Sequence, residues 1–230
     1  MADVFDELVE EHPAWWIDVL GQHNHIGGFQ STEWLLERVE LNDGDWLLDA
    51  GAFVGATARL AAERSGARAV ATDLTLDFLS AGGRMSHGDQ VHWSVAASQN
   101  LPFRDGAFQS VWCLDSYLAP AELSRVSAPT ASLALCCEVP VDGRGGMEAF
   151  SDEWAEYGWQ LAAHREISND ATVTWRKAEA DLVRRRPHFQ ERYGDRGYAF
   201  HLDILADLVM TYERREQGHG LFVFKRDAQS

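Results

Sequence analysis

The stretch WLLDAGAFVGATARLAAE, residues 46–63, constrains the fold of this chain more than any other. It is typical of a short buried strand, a glycine-containing turn and a helix. Further apolar runs, most of them followed by helical segments, are predicted to be strands: ARAVATD (67–73), VHWSVAA (91–97), QSVWCLDS (109–116) and ASLALCCEVP (131–140). This alternation predicts an α/β fold, in which helices cover both faces of a parallel sheet.

A helix is also predicted before the first strand, beginning at Ser31 or Thr32 as its N-cap. In a parallel sheet of this kind, ligands bind at the carboxyl ends of the strands. The candidate functional residues are therefore sought at those ends and in the segments that can cover them.

The acidic composition limits the partners that this protein can have. The 230 residues carry a formal net charge of −16, which disfavours nucleic-acid phosphates and anionic membranes. The segment RRRPHFQER (184–192) is either a local basic patch or a solvated helix end. No segment approaches the roughly 20 apolar residues of a membrane span, and the acidic N-terminus resembles no targeting peptide. We expect a cytoplasmic protein with a small-molecule partner and no nucleic-acid or membrane partner. Its oligomeric state is left open, a homodimer included.

The cysteines and histidines indicate neither a disulfide framework nor a metal site. Three cysteines, Cys113, Cys136 and Cys137, do not form spaced pairs. Neighbouring residues of a strand point to opposite faces, so the last two cannot share a metal easily. The HNH segment (23–25) lacks a recognisable third ligand. We therefore expect buried free thiols in a reducing compartment, and no metal.

Two of the predicted strand ends suit a nucleotide-like ligand. The turn that begins at Gly51 lets the backbone approach a ligand closely. Asp73, at the end of the second strand, is placed either to accept hydrogen bonds from ribose hydroxyls or to cap the next helix. The nicotinamide fingerprint fits the turn poorly, because Phe53 and Ala56 interrupt it.

A longer segment carries a family resemblance. VHWSVAASQNLPFRDGAFQSVWCLDS (91–116) resembles the adenine-side motif of class I S-adenosylmethionine-dependent methyltransferases. The likeness is to their small-molecule branch, the type 11, ubiquinone/menaquinone-biosynthesis-like group. HIGGFQSTEWLLERVEL (25–41), ELSRVSAPTASLALCCE (122–138) and GHGLFVFKR (218–226) resemble other family segments in the same order. The resemblance extends over roughly residues 20–230.

The resemblance implies a fold, a domain plan and an activity. The fold would be Rossmann-like, with a seven-stranded, mostly parallel sheet, helices on both faces and an antiparallel last strand near residues 220–226. Residues 1–230 would form a single methyltransferase-like domain, in which residues 1–40 are an N-terminal cap and residues 141–200 a lid or substrate insertion. The activity would be methyl transfer from S-adenosyl-L-methionine to a small molecule.

The resemblance also implies site residues. Candidates for catalysis are Asp115, Tyr117 and His25, although each could instead be a cap or a rim residue. Candidates for acceptor binding are Trp16, Gly28, Glu138 and Trp154, where the aromatic residues could instead belong to the core. The cofactor site would comprise Asp49, Gly51, Ala52, Phe53, Gly55, Asp73, Leu74, Ser98, Gln99 and Leu114.

Departures from the family pattern motivate a second hypothesis. Phe53 replaces the middle glycine of the cofactor loop, and Ala97 replaces the acid that contacts adenine, a contact then left to Ser98 or Gln99. We expect the Phe53 ring to turn toward the methionine or acceptor side and to narrow the pocket. The alternative is a methyltransferase-fold protein that lost the donor and binds another ligand or a partner. A non-methyl reaction with the same cofactor and a nucleotide-dependent oxidoreductase are further alternatives.

Overall fold

A computed structural model describes residues 4–11, 15–141 and 146–226, and its centre is one seven-stranded sheet. The strand order is β3-β2-β1-β4-β5-β7-β6. Strand β7 is antiparallel to both of its neighbours, whereas the other pairs are parallel. The predicted fold class is thereby confirmed, antiparallel last strand included. The strands are β1 Trp46–Ala50, β2 Arg68–Asp73, β3 Val91–Val95, β4 Phe108–Leu114, β5 Ser127–Pro140, β6 Gln160–Glu166 and β7 Gln217–Lys225.

Helices pack on both faces of this sheet. The long α9 changes direction at Gly194, whose φ of 70° and ψ of 166° are not helical. The helices are α1 Val4–Glu11, α2 Trp15–Leu20, α3 Gly28–Leu36, α4 Ala56–Ser65, α5 Leu76–Met85, α6 Pro120–Val126, α7 Gly146–Ala155, α8 Ser168–Arg184 and α9 Arg186–Glu213.

Helix α3 begins earlier than the sequence predicted. Its first residue is Gly28, and Gly27 precedes it with a φ of 76°. Ser31 and Thr32, the predicted N-cap candidates, are buried inside the helix instead. The Thr32 hydroxyl lies 2.9 Å from Nε2 of His25. The prediction was wrong because a hydroxyl that suits a helix cap can equally bond a distant side chain, and tertiary packing decided which.

The core has two layers, one on each face of the sheet. Successive residues of β5 contribute to opposite layers: Cys136 packs in one and Cys137 in the other. Both are buried with free thiols, as is Cys113 of β4, in agreement with the sequence. Burial raises the pKa of each of these thiols, so they remain protonated and behave as small apolar side chains.

The turn before β4 is held by an ion-paired arginine of α6. Arg125 donates hydrogen bonds to the carbonyl oxygens of Leu101 (3.1 Å) and Phe103 (2.8 Å), and it pairs with Glu122 at 2.7 Å. Glu122 in turn accepts a hydrogen bond of 2.7 Å from the Leu101 amide. Two motif residues of the segment 122–138 thus fix the LPF turn of the segment 91–116.

The N-terminal helices form a cap that is attached to the sheet through an aromatic cluster. Buried members of this cap cluster are Leu8 of α1, Ile17 of α2, and Phe53, Val54 and Phe78 from the sheet side. Helix α2 also packs against α8 of the segment between β5 and β7. The N-terminal helices and the segment between β5 and β7 therefore meet above the carboxyl edge of the sheet. Within the described part of the chain, no helix combines the length and apolarity needed to cross a bilayer.

Candidate active site

The main pocket opens at the carboxyl ends of β1, β2, β4 and β5, beneath α2 and α8. Its volume is about 630 Å³, within the range of small-molecule sites. Three carboxylates line it, and none of the described lining residues is a lysine or an arginine. The lining comprises Trp16, Leu20, Asn24, Gly51, Phe53, Asp73, Phe78, Leu114, Asp115, Ser116, Leu118, Cys137, Glu138, Trp175 and His219.

The loop after β1 contains two glycines that close packing requires. Gly51 has a φ of 81°, and a Cβ atom there would lie 1.9 Å from Oγ of Ser116. A side chain would therefore displace the turn that follows β4. Gly55 precedes α4, where a Cβ would lie 2.6 Å from the Trp93 ring. The two glycines that match the family loop are thus both needed for close packing.

Phe53 occupies a backbone conformation that favours glycine. Its φ is 53°, in the left-handed region, and its side chain is 4% exposed. The ring centroid lies 5.4 Å from that of Trp16 and 4.8 Å from that of Phe78. Phe53 is one of the pocket-lining residues, so an aromatic side chain stands at the pocket where the family loop has a glycine. The aromatic contacts compensate the backbone strain and attach the cap to the loop.

Asp73 is held at the pocket by backbone amides. Its Oδ2 accepts a hydrogen bond of 3.0 Å from the Phe53 amide, and its Oδ1 accepts one of 2.9 Å from the Thr75 amide. A carboxylate has about four acceptor sites, so capacity for ligand hydroxyls remains. The next residue, Leu74, is 71% exposed and offers an apolar surface beside the carboxylate.

The segment after β3 lies outside this lining. Ser98 is buried, with 8% exposure, in a turn closed by a bridge between Ala97 and Asn100, whereas Gln99 is exposed. Val95, at the end of β3, is 52% exposed. Ala52 and Gly55 of the loop are buried behind the lining, together with Asp49 at the end of β1.

The Asp49 carboxyl is fully buried, and this burial changes its acidity. Desolvation raises its pKa to about 7, although a hydrogen bond from the Ala58 amide opposes the shift. Its Oδ2 has no hydrogen-bond partner among the described residues. A carboxyl buried in this way is stable as the neutral acid and unfavourable as the anion.

The Asp49 shift predicts a dependence of stability on pH. A folded-state pKa raised above the unfolded one means that the native protein binds this proton more tightly, so stability falls as pH rises from about 4 to 7. Between pH 6 and 8 ionisation of this group lowers the free energy of unfolding by roughly 1 kcal/mol. We expect Asp49→Asn to abolish that part of the loss, as measured by urea unfolding at both pH values. Asp89→Asn, at an exposed aspartate before β3, is the control, and an identical pH dependence in wild type and Asp49→Asn would contradict the shift.

Asp115 is the most constrained carboxylate in the pocket. Its φ of 47° is unusual for a residue other than glycine, and its amide donates a hydrogen bond of 2.7 Å to the carbonyl oxygen of Cys136. Oδ2 accepts a hydrogen bond of 2.7 Å from the Ile26 amide, and Oδ1 lies 2.8 Å from Nε2 of His219. Strained backbone that is held by several partners often marks a functional position.

His219 and Tyr212 were not identified from the sequence. His219 of β7 lies 2.9 Å, through its Nδ1, from the hydroxyl of Tyr212 of α9. That hydroxyl lies 3.3 Å from Oε1 of Glu138, the residue paired with His219 across β5 and β7. The isolated histidine between two glycines in GHGLFVFKR was a signal, but its proximity to Asp115 depends on strand register.

His25 differs from its predicted role. It is buried beside Asp115, where Nε2 lies 2.9 Å from the Thr32 hydroxyl and Nδ1 lies 3.2 Å from the Ile26 carbonyl oxygen. Burial lowers its pKa, and burial is also the main cause that lowers the pKa of His23 to about 4. The histidine at the pocket wall is His219, and His25 supports the segment that positions Asp115.

Three other predicted residues lie away from the pocket wall. Trp154 is 1% exposed in the core layer on the far face of the sheet, with its ring 5.8 Å from Phe224. Helical spacing alone could not show which face of the sheet α7 covers. Tyr117 is 62% exposed, and Gly28 begins α3, where a Cβ added to it would lie 3.8 Å from His23. By contrast Trp16, Glu138 and Leu114 do line the pocket.

Asp115, Cys136 and His219 bring three metal-ligand atom types within 4.8 Å of one another. The shortest separation, 2.8 Å between Asp115 Oδ1 and His219 Nε2, is a hydrogen-bond length. Two atoms that both ligate zinc at about 2 Å lie farther apart than this in tetrahedral geometry. The cluster is therefore a hydrogen-bonded group, and its donors are already engaged with one another.

The strand order and the pocket at the carboxyl ends of β1, β2 and β4 define the Rossmann-like class I methyltransferase fold. Residues 48–130 match the type 11 family model described as a methyltransferase domain, so this part of the chain carries such a domain. The class resemblance is thereby confirmed, whereas the ubiquinone/menaquinone-biosynthesis-like branch stays a prediction.

Individual relatives agree with this class. The chain is 30% identical over 119 residues to methyltransferase GfsG of Streptomyces halstedii, a match that covers 47% of this chain and 43% of that protein. The matched region thus spans less than half of this curated relative. Cyclopropane synthase MmaA2 from Mycobacterium tuberculosis superposes with a TM-score of 0.78 at 13% identity, over 98% of this chain and 95% of the other.

Another similar structure contains the methyl donor. Phosphoethanolamine N-methyltransferase 2 of Haemonchus contortus, in complex with S-adenosyl-L-methionine, superposes with a TM-score of 0.77 at 14% identity. The superposition covers 99% of this chain and 60% of the other. At such low identity these similarities establish the fold alone.

Proposed function

We propose that this protein transfers a methyl group from S-adenosyl-L-methionine to a small-molecule acceptor. The observation that carries the proposal is the placement of Asp73, whose carboxylate two backbone amides hold at the edge of a pocket of about 630 Å³. The methyltransferase-domain match supports the reaction, and the donor-bound neighbour supports the cofactor.

The residues at this edge fit the adenosine part of the donor. Asp73 would accept hydrogen bonds from the ribose hydroxyls, and the exposed Leu74 would pack against the adenine face. Phe53 lines the pocket but leaves its volume open, so its ring does not by itself exclude a ligand. Residues assigned to the cofactor from the sequence remain proposals, among them Asp49, Gly51, Ala52, Gly55, Ser98, Gln99 and Leu114.

When bound, the donor supplies a methyl group that is already activated by the positive charge of its sulfonium. The protein therefore has to align the acceptor, exclude water and receive any proton that the acceptor releases. Trp16 of α2 and Trp175 of α8 would exclude water, since both line the pocket from above. Asp115, beneath them, would receive the proton.

The charges in the pocket restrict the class of acceptor. Asp73, Asp115 and Glu138 line it, and none of the described lining residues is a lysine or an arginine. A carboxylate or phosphate ester would meet like charges there without a cation to compensate them. We therefore propose a neutral or cationic acceptor with an apolar body that contacts the tryptophans. Residues 1–40 and 141–200 would act as its cap and lid.

Calorimetry with S-adenosyl-L-methionine and S-adenosylhomocysteine tests this proposal most directly. We expect both to bind at micromolar concentration, which corresponds to about −8 kcal/mol. Absence of binding at millimolar concentration would reject the donor and favour the second candidate, a ligand- or partner-binding module. Phe53, in place of a loop glycine, is the observation that keeps this candidate open.

Where the protein acts and whether it associates stay predictions. The three buried free thiols agree with the reducing, cytoplasmic compartment predicted from the sequence. Sedimentation tests whether the protein forms a homodimer.

A further inference from the structure

A continuous run of hydrogen bonds joins two carboxylates of the pocket, Asp115 and the solvent-exposed Glu138. It begins at Asp115, whose Oδ1 lies 2.8 Å from Nε2 of His219. Nδ1 of His219 lies 2.9 Å from the Tyr212 hydroxyl, which lies 3.3 Å from Oε1 of Glu138. His219 is only 2% exposed, whereas Glu138 is exposed. The run therefore connects a buried imidazole to carboxylates at both ends.

The other groups that face His219 leave this run undisturbed. The Cys136 thiol lies 3.5 Å from Nε2, and burial raises the pKa of that thiol, so it remains neutral. His25 is close enough to interact electrostatically with both Asp115 and His219, but burial lowers its pKa and so favours its neutral form. From α8, Ser168 Oγ accepts a hydrogen bond of 2.9 Å from the His219 backbone amide.

The number of protons that the run holds decides which of its three hydrogen bonds can form. A neutral His219 that donates from Nε2 to Asp115 accepts the Tyr212 proton at Nδ1, and Tyr212 then has no proton for Glu138. A charged His219 donates from both nitrogens, which frees the Tyr212 proton for Glu138. All three hydrogen bonds are therefore formed only when the run holds one additional proton.

We propose that Asp115, His219, Tyr212 and Glu138 form a proton relay that takes the proton from a hydroxyl or amine acceptor during methyl transfer. This inference rests on the proposed function. The acceptor atom forms a bond to the methyl carbon, the methyl–sulfur bond breaks, and its electron pair stays on sulfur. Asp115 takes the acceptor proton and passes it to Nε2 of the neutral His219 form that carries its proton on Nδ1. The Nδ1 proton then moves to Tyr212, the Tyr212 proton moves to Glu138, and Glu138 releases a proton to water. His219 is left protonated on Nε2, and it returns to the starting form when it exchanges this proton for one on Nδ1.

The relay also narrows the substrate class. An acceptor whose nucleophilic atom carries no proton, such as a tertiary amine or a thioether, would not need it. The natural acceptor is accordingly an alcohol, a phenol, or a primary or secondary amine. In this scheme Asp115 is the catalytic residue that touches the acceptor, while Tyr212 acts through His219 and is a positioning residue.

Nuclear magnetic resonance of nitrogen-labelled histidine tests the relay without an acceptor. The His219 signals are assigned by their loss in His219→Gln, and the ratio of doubly to singly protonated ring is read from the nitrogen chemical shifts of the full chain at one fixed pH. We expect Glu138→Gln to lower this ratio by about tenfold, because the carboxylate that supports the charged form is lost.

A double-mutant cycle separates a relay from simple attraction through space. In a relay, the effect of Glu138→Gln should fall by at least half in the Tyr212→Phe background, since the connecting hydroxyl is absent. Direct electrostatic attraction between Glu138 and His219 would persist in both backgrounds. Tyr198→Phe, which removes a hydroxyl from the same helix α9 within the separate α8–α9 cluster, is the matched control.

The double-mutant cycle and donor calorimetry together separate the relay from the proposed function. An effect of Glu138→Gln that is equal with and without the Tyr212 hydroxyl, or no effect at all, would overturn the relay. Because the measurement needs no donor, it is independent of the proposed function. Donor binding by calorimetry together with an uncoupled His219 would reject the relay alone. A coupled His219 without donor binding would reject the proposed function and leave the hydrogen-bonded run intact.

Discussion

Asp73→Ala is expected to weaken the binding of S-adenosyl-L-methionine by at least about 30-fold, which corresponds to about 2 kcal/mol. The substitution removes a carboxylate that would accept charge-assisted hydrogen bonds from the ribose. It also frees the amides of Phe53 and Thr75, which donate to this carboxylate at 3.0 and 2.9 Å. Calorimetry with the donor and with S-adenosylhomocysteine measures both affinities.

Two further variants separate these effects. Asp73→Asn keeps one acceptor oxygen for an amide but loses the charge, so an intermediate loss of affinity is expected. Asp77→Ala removes a nearby exposed carboxylate of α5 and should leave the affinity within about twofold, because a surface charge contributes little. If Asp73→Ala folds and binds the donor as tightly as wild type, the assignment of Asp73 to the ribose is wrong.

Phe53→Gly is expected to destabilise the protein, although glycine suits the backbone there. Relief of the positive φ contributes about 1 kcal/mol in favour of the variant. Loss of a buried phenylalanine costs about 3–5 kcal/mol. The net effect should be a loss of about 2–4 kcal/mol, measured by urea unfolding.

The loss should be concentrated in the cap, because the Phe53 ring contacts Phe5 of α1 and Trp16 of α2. Hydrogen exchange should accelerate in α1 and α2 and remain unchanged in β4. Phe200→Ala, at a residue that is 60% exposed, is the control for loss of a phenylalanine. Unchanged exchange in the cap would show that Phe53 packs on the sheet without anchoring these helices.

The same variant distinguishes the two roles of the ring in the pocket. If the ring obstructs the donor, Phe53→Gly should bind S-adenosyl-L-methionine more tightly despite its lower stability. If the ring is an acceptor wall, donor affinity should hardly change and methyl transfer should slow. The position of the ring on the pocket wall beside Trp16 favours the second result.

Local patterns were sufficient for the architecture and for part of the pocket. Apolar runs and turn residues indicated strands β1 to β5, because burial on both faces of a parallel sheet requires continuous apolar sequence. The residues at or near the carboxyl ends of those strands follow from the same pattern. Gly51, Asp73, Leu114, Asp115 and Glu138 were therefore predicted at one edge, and all five line the pocket.

Errors arose wherever a side chain could satisfy two environments. Ser31 and Thr32 suit a helix cap, yet packing buries both inside α3. Trp154 suits an aromatic cage, yet α7 covers the opposite face of the sheet and places it in the core. His25 suits a pocket wall but is enclosed beneath it, bonded to Thr32. Local sequence does not encode which neighbour is available.

The sequence by itself determined the order of strands β1 to β5, the presence of Phe53 in place of a loop glycine, and the acidic groups near the strand ends. Only the tertiary structure brought His219 and Tyr212 to Asp115. The antiparallel register of β5 and β7 pairs Glu138 with His219. Helix α9 places Tyr212 beside the same histidine. Both contacts join residues of different elements. Such contacts depend on how whole elements pack, since hydrogen bonds between side chains on different elements leave no periodic pattern in any one segment.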